Sequence, residues 1–282
     1  MYRLPMVAAV NDMSGFGRCS LTVAIPILSA MGVQCCPLPT ALLSNHTGYP
    51  TYYFSDYTDS MEVYYKEWLK LDLDFAAVYS GFLGSEKQVS IVMEMIEAFK
   101  AKQAAKGIAL PLAVIDPVMG DNGAVYATYT DEMCDKMRQL VSVADIITPN
   151  VTEACILLEE DYQGEYISLE TGRKIAEKLT ELGPKIAVLT GVKTHDNQVM
   201  NLAYQKENGC FVHTVHTLVK PHFNGTGDVF ASVLCGALVT GMEIGQALEK
   251  AAEFVCKTAK FTAECEGNTP DGVMFERFLH EL

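Results

Sequence analysis

The sequence predicts an α/β protein with a mainly parallel central sheet and helices on both faces. Two observations carry that prediction. Short apolar runs, each stopped by a turn residue, recur as "PMVAAVN" (5–11), "AAVYSG" (76–81), "LAVIDP" (112–117), "ADIITPN" (144–150) and "KIAVLTG" (185–191). Longer stretches with helical periodicity lie between them. Short buried strands alternating with helices are the pattern of βαβ units, whose strands lie parallel and are covered on both faces.

Taken in order, the first strand leads through a glycine-rich turn into "SLTVAIPILSAMG", a helix that Gly32 ends and Pro26 kinks or breaks early. Helical patterns follow at 85–104, 131–140, 151–159 and 168–182. "QVMNLAYQK" and "CFVHTVHTLV" alternate and are joined by "ENG", which predicts a hairpin near 197–217 bordering the site. The segments 226–241, 244–265 and 271–281 are again helical in pattern. With no internal repeat, low-complexity tract or linker, residues 1–282 are expected to form one domain.

The net charge is −14, which argues against a nucleic-acid surface, since that needs a basic stripe. It does not argue against a phosphorylated ligand, because backbone N–H groups and a bound cation hold phosphate inside an acidic protein. The nine cysteines include no C-x-x-C pair and suggest neither a zinc site nor a disulfide framework. "MYRLPMVAAVND" lacks the apolar length and cleavage pattern of a signal peptide, and no window of about 18 residues is apolar enough to span a membrane. A cytoplasmic protein is expected.

Ligands of open parallel sheets bind beyond the carboxyl ends of the strands. The polar residues cluster there: Asn11-Asp12, Ser80-Gly81, Asp116, Thr148-Pro149-Asn150 and Thr190-Gly191. "GFGRCS" (15–20) nearly matches a dinucleotide fingerprint, but no Asp or Glu occurs from Met13 to Ser55 to hold a ribose, so that reading fails. The turn is either a plain entry to a helix or a backbone loop closing over a small substrate. The P-loop pattern is absent.

"NGTGD" (224–228) is different. Gly225 and Gly227 let successive N–H groups from Asn224 to Gly227 converge, and the helix behind adds its partial positive charge. Spacing alone supports two readings of Asp228 equally: a helix-start acid, or a general base at the edge of an anion hole. "DPVMGD" places Asp116 and Asp121 as ordinary turn acids or as ligands of Mg²⁺. In "TPNVTE", Asn150 and Glu153 fit a capping box, and Glu153 also fits a role in ordering metal-bound water. "SNHTGY" (44–49) puts His46 and Thr47 in a polar patch.

Together these segments resemble the ribokinase-like superfamily, and within it the vitamin B6 (pyridoxal/pyridoxamine/pyridoxine) kinases. "SNHTGY", "DPVMGD", "ADIITPN" with Glu153, and "NGTGD" stand in that family's order across nearly the whole chain. The resemblance implies a three-layer fold, ATP and Mg²⁺ as phosphoryl donor and cation, and a small aromatic alcohol as acceptor. It leaves a monovalent cation such as K⁺ open, and it implies a homodimer. It puts the base at Asp228 and the anion hole at Gly225, Thr226 and Gly227. Asp116, Thr148, Asn150, Glu153, Thr190, Gly191 and Asn224 fall around the phosphates, with Asp116, Glu153 and Asp121 toward the metal. Thr47 and Phe82 fall on the pyridine substrate. The family's Q-S-H segment is replaced here by Asn11-Asp12-Met13, which gives the ring contact to Asp12, or to Ser14 if the alignment slips. The glycine-rich turn is also similar to that of hydroxymethylpyrimidine kinases, the alternative substrate class.

Overall fold

The computed structural model describes residues 4–126, 129–265 and 270–282. In chain order the elements are β1 (Met6–Ser14), α1 (Ser20–Ala30), β2 (Gln34–Leu43), β3 (Phe54–Asp56), α2 (Thr58–Lys70), β4 (Ala77–Ser80), α3 (Glu86–Ala105) and β5 (Leu112–Ile115). A two-residue hairpin follows, β6 (Gly120–Asp121) and β7 (Ala124–Val125), then α4 (Asp131–Ser142), β8 (Ile146–Ile147), α5 (Val151–Leu158), α6 (Leu169–Glu181) and β9 (Ile186–Lys193). The chain continues through β10 (Gln198–Gln205), β11 (Cys210–Thr217), α7 (Thr226–Val239), α8 (Ile244–Cys265) and a 3₁₀ turn at Glu276–Glu281.

Nine strands form one sheet in the order β11-β10-β9-β8-β5-β4-β1-β2-β3. From β2 through β1, β4, β5 and β8 to β9 every pairing is parallel. Antiparallel strands close both edges, β3 on one and the β10–β11 hairpin on the other. The parallel strands end together, so their carboxyl ends form one rim.

Side chains leave a strand alternately to opposite faces. Val78 and Ile115 therefore join one core with Met95, Phe99, Leu140 and Leu202. Tyr79 and Val114 join the other with Leu21, Val233, Leu234 and Leu248. The layers are helix, sheet, helix. α3 shows why such helices form: Ser85 caps it by accepting from the Gln88 amide, and Val89, Val92, Ile96 and Phe99 recur on one buried face. Each fully buried side chain of this size stabilises the fold by roughly 1.5–3 kcal/mol.

The segment 33–75, which sequence periodicity leaves unassigned, contains β2, β3 and α2. Pro37 and Pro39 read against a strand, because proline cannot donate to a ladder. They are accommodated because β3 joins β2 only at Ala41–Leu43, so the outer edge beside both prolines carries no strand. The helical pattern at 271–281 is also corrected. Only Glu276–Glu281 is helical, as a 3₁₀ turn, and Gly272 at φ +86° turns the segment before it back onto residue Arg18. No helix among the described residues is long and apolar enough to cross a membrane.

Candidate active site

Two helix N-termini meet at the rim. α7 starts at Gly225, whose φ of +73° is the left-handed region that favours glycine. A Cβ there would stand 2.0 Å from the Arg18 carbonyl oxygen, so the turn also needs glycine for space. Glycine at the N-cap brings no side chain to cap α7, which leaves its first-turn N–H groups available to an anion. Gly227 has open space where a Cβ would point. The Thr226 hydroxyl bonds the Phe223 carbonyl at 3.3 Å, and the exposed Asn224 amide donates to the Pro270 carbonyl at 3.2 Å. Residues 224–227 therefore form a fixed turn, with glycine where the backbone must approach.

Asp228 lies in the first turn of α7 and is half-buried. Burial, with Asp116 and Asp12 adding repulsion, pushes its carboxyl up to about 7. The Ser20 backbone amide at the start of α1, and the Asn11 side chain, pull in the other direction. Asn11 Nδ2 donates to Asp228 Oδ1 at 3.3 Å.

Asn11 was visible in the sequence only as a polar strand end, and the structure makes it the hub of the site. Its Oδ1 accepts from the amides of Asp12 at 2.9 Å and Phe82 at 2.8 Å. Gly81 has no Cβ because one would stand 2.2 Å from Asn11 Nδ2. One buried side chain thus ties the ends of β1 and β4 to the carboxylate on α7. Asn11→Ala leaves two backbone N–H groups without their acceptor, and a lower urea midpoint is expected, equivalent to about 2–4 kcal/mol. A midpoint equal to that of the unsubstituted protein would remove Asn11 as the hub.

Asp12 sits where the β1–β2 register shifts, between Asn11 and Met13. Such an irregularity re-aims a side chain. Its carboxylate accepts from the hydroxyls of Ser14, at 2.8 Å, and Ser20. Burial raises its proton affinity, and those two hydroxyls oppose the shift. Ser14 is fully buried in this contact. Asp12 and Ser14 are therefore partners of one another as well as alternatives for a ligand. Phe82 is half-buried beside them, its carbonyl accepting from the Thr40 hydroxyl at 3.0 Å.

Thr47 is exposed at the rim, next to a tightly fixed His46. The Gly48 amide donates to His46 Nδ1 at 3.0 Å, so Nε2 carries the proton given to the Pro270 carbonyl at 2.8 Å. Gly17 and Gly48 flank the ring closely, since a Cβ on either would stand within 3.0 Å of it. The Arg18 amide donates to the Asp271 carbonyl at 2.9 Å, and the Tyr49 hydroxyl bonds the Asp271 carboxylate. The glycine-rich turn is thus a wall of the site, packed between the 46–49 loop and residues 270–272.

Across the rim, Asp116 accepts from the Thr148 hydroxyl at 2.7 Å. Burial pushes its carboxyl up to about 6, with the Thr148 hydroxyl acting the other way. The capping box is present: Asn150 Oδ1 accepts from the Glu153 amide at 2.9 Å, and Glu153 Oε2 accepts from the Asn150 amide at 2.8 Å. Glu153 Oε1 accepts from the Met119 amide at 3.2 Å. Burial, then Asp116, holds the Glu153 carboxyl well above the usual range. Asn150 Nδ2 also anchors the β6–β7 hairpin through the Gly120 carbonyl at 2.9 Å. Thr190 lies beside Asn150 through an isolated bridge, and Gly191, at φ +65°, donates to Asn201 Oδ1 at 3.0 Å. Asp121 stands farther out on the hairpin, turned toward Asn122 and 3.6 Å from His222. Tyr126, which sequence reasoning passed over, follows the hairpin, its amide donating to the Met119 carbonyl at 2.9 Å. Burial raises its phenol, followed by the charges of Glu153, Asp121, Asp116 and Asp228.

These raised carboxyls set a pH dependence. Asp116 and Asp228 bind their protons more tightly in the fold than at the ordinary 3.8, with folded values of about 6 and about 7. Their contribution to stability is present below the unfolded value and is lost as pH rises through the folded ones. A melting temperature that falls between about pH 5 and about pH 8 is expected, with a flatter profile in Asp228→Asn. A rise in melting temperature across that range would contradict the arrangement.

A mainly parallel sheet in a three-layer sandwich, with a glycine-started helix facing a buried carboxylate at its rim, defines a ribokinase-like kinase. The chain belongs to the phosphomethylpyrimidine kinase family, whose sequence model matches residues 25–270. It is similar to a protein of Bacteroides thetaiotaomicron assigned as a phosphomethylpyrimidine kinase and crystallised with pyridoxal, at 40% identity and a TM-score of 0.92, covering 99% of this chain and 96% of that one. It is also similar to the pyridoxal kinase of Lactobacillus plantarum, at 29% identity and a TM-score of 0.86, covering 99% and 96%. The pyridoxal kinase of Arabidopsis thaliana is 29% identical over 239 residues, 82% of this chain and 72% of that one.

Proposed function

We propose that this protein transfers the γ-phosphoryl group of ATP to the hydroxymethyl group of a B6 vitamer, with Asp228 as the general base. The observation that carries the reading is the pairing of Asp228 with the uncapped start of α7. A carboxyl pushed up to about 7 accepts a proton near neutral pH, and the neighbouring N–H groups of Gly225, Thr226 and Gly227 receive charge on the transferred phosphoryl. Asn11 holds the carboxylate in place. The pyridoxal kinases among its relatives, and pyridoxal in the Bacteroides protein, support the acceptor class.

Among the described residues no three His, Cys, Asp or Glu side chains form a metal cage. A Mg²⁺ ion usually keeps several waters and takes one or two carboxylates, so two carboxyls at the rim would suffice to hold one. Asp116 has an oxygen outside its Thr148 bond, and both Glu153 oxygens already accept backbone N–H groups. Asp116 would then hold the ion directly and Glu153 through water, and the ion would supply neutralising charge at the transferring group.

The second reading is a hydroxymethylpyrimidine kinase, or an enzyme taking both substrates, favoured by the family model. Turnover with Mg·ATP and pyridoxal, pyridoxamine, pyridoxine or hydroxymethylpyrimidine separates the two. Phosphorylation of the pyrimidine alone would overturn the B6 reading, and ATP-dependent phosphorylation of none would overturn both. On the acceptor side, Asp12→Ala is expected to raise KM for the pyridine substrates about 10–100-fold, the worth of one charge-assisted hydrogen bond. Unchanged KM values would take Asp12 out of the substrate site.

A further inference from the structure

Asn224 stands in the anion motif, but its contacts lie on the other side of the crevice. Its Nδ2 donates to the Pro270 carbonyl at 3.2 Å. His46 Nε2 donates to the same carbonyl at 2.8 Å. A carbonyl oxygen has two lone pairs and accepts both. The two donors arrive from different segments, the 46–49 loop and the turn that starts α7.

The glycines put the same three segments in contact. A Cβ on Gly48 would stand 3.1 Å from Asn224 Nδ2 and 2.8 Å from the His46 ring. A Cβ on Gly272 would stand 3.2 Å from the Asn224 carbonyl oxygen. Side chain and backbone of Asn224 both rest on residues 270–272. Among the described residues, no hydrogen bond joins the Asn224 side chain to Thr148, Asn150 or Thr190 across the rim.

The shared carbonyl fixes a distance. Thr47 lies between His46 and Gly48, and the Gly48 amide holds that loop in shape by donating to His46 Nδ1 at 3.0 Å. Gly225 follows Asn224 and starts α7. Pro270 thus ties the neighbour of Thr47 to the neighbour of the anion turn. The rest of the wall is held separately, by Tyr49 on the Asp271 carboxylate and by the Arg18 amide on the Asp271 carbonyl. Loss of the Asn224 bond therefore loosens the wall from the anion turn without dissolving it. Where a group passes between two bound molecules, a misplacement of about 1 Å is enough to matter.

We propose that Asn224 belongs to the acceptor side, and that with His46 it clamps the Pro270 carbonyl so that the Thr47 loop stays in register with the anion turn. Asn224 and His46 are positioning residues, acting through Thr47 and through Gly225–Gly227. The inference rests on the kinase reading for what the wall holds, but the clamp itself does not depend on it.

Asn224→Ala is expected to raise KM for the acceptor about tenfold, the worth of one hydrogen bond, and to leave KM for ATP unchanged. The reverse split returns Asn224 to the phosphates and overturns the proposal. A purely structural role would move the melting temperature and neither KM, which overturns it as well. His46→Ala should give the same split, and the double variant should fall short of the product of the two single effects, because both donors serve one carbonyl. Effects that multiply would show two separate roles and overturn the clamp. Should His46→Ala fail to fold, Asn224→Ala decides alone, since Asn224 is exposed. Hydrogen exchange of the ligand-free protein gives a second measurement. Asn224→Ala should speed exchange about tenfold in peptides covering 44–52 and 270–276 and leave 229–239 unchanged. Equal exchange overturns the clamp whatever the enzyme phosphorylates. Faster exchange in a protein that phosphorylates no acceptor would support the clamp and sink the kinase reading alone.

Discussion

Asp228→Asn is expected to lower turnover roughly 10²–10⁴-fold while the protein stays folded. The substitution keeps the shape of the side chain, removes its charge and its capacity to take a proton, and leaves one acceptor oxygen. The Asn11 contact survives, because the new amide presents its oxygen to Asn11 Nδ2. KM for ATP should change little, since the N–H groups of α7 and the Asp116 side of the rim are untouched. Stability should move in the opposite direction from activity. Above about pH 7 the unsubstituted carboxylate is charged, desolvated and repelled by Asp116 and Asp12, so its neutral replacement melts at equal or higher temperature. Activity loss with a stability gain distinguishes a base from a helix-start acid, whose removal would cost stability and spare the rate. Near-normal turnover, measured by coupled ATP consumption, would return Asp228 to the role of a helix-start residue.

Gly225→Ala is expected to lose both activity and stability. The new Cβ would enter a left-handed backbone, at φ +73°, and stand 2.0 Å from the Arg18 carbonyl oxygen and 3.1 Å from its carbon. Arg18 cannot easily retreat, because its amide is bonded to the Asp271 carbonyl and Gly272 packs against its oxygen from another side. The turn must therefore open. Strain of this kind costs about 1–3 kcal/mol, and a displacement of about 1 Å in the anion turn lowers turnover about 10²-fold. Gly227→Ala is the control, since its Cβ meets no atom of the described residues within 4 Å beyond its own turn of helix. It should melt like the parent protein, with any loss confined to turnover. A Gly225→Ala protein of unaltered melting temperature would show that Arg18 yields and that the close approach is not binding on the fold.

The contrast between these glycines marks how far the sequence could be read. Both stand in "NGTGD", and the motif gives them equal weight. Only the approach of Arg18, more than 200 residues earlier in sequence, separates a steric requirement from an open position. The parallel sheet was legible because buried strands are short, apolar and ended by polar residues. The strand ends likewise exposed Asp116, Thr148 and Asn150 as rim residues. β2 was not legible, since its prolines argue against a strand until the unpaired edge beside them is known. Asn11 was seen only as a strand end, because two of its three hydrogen bonds join it to segments that are distant in sequence. Tyr126 gives no motif at all, and its place follows from the bond of its amide to the Met119 carbonyl just beyond the hairpin.

The wall made by the glycine-rich turn, the 46–49 loop and residues 270–272 has a consequence for the order of assembly. Arg18 bonds Glu276 across 258 residues, and His46 bonds Pro270 across 224. The strands of the sheet all precede both partners in sequence, β11 ending at Thr217. Contacts of such long sequence separation are expected to form after the local ones, because closing a long loop costs entropy before the contact returns any stability. Until residues 270–276 dock, the anion turn and the Asp228 carboxylate stand with no finished wall beside them.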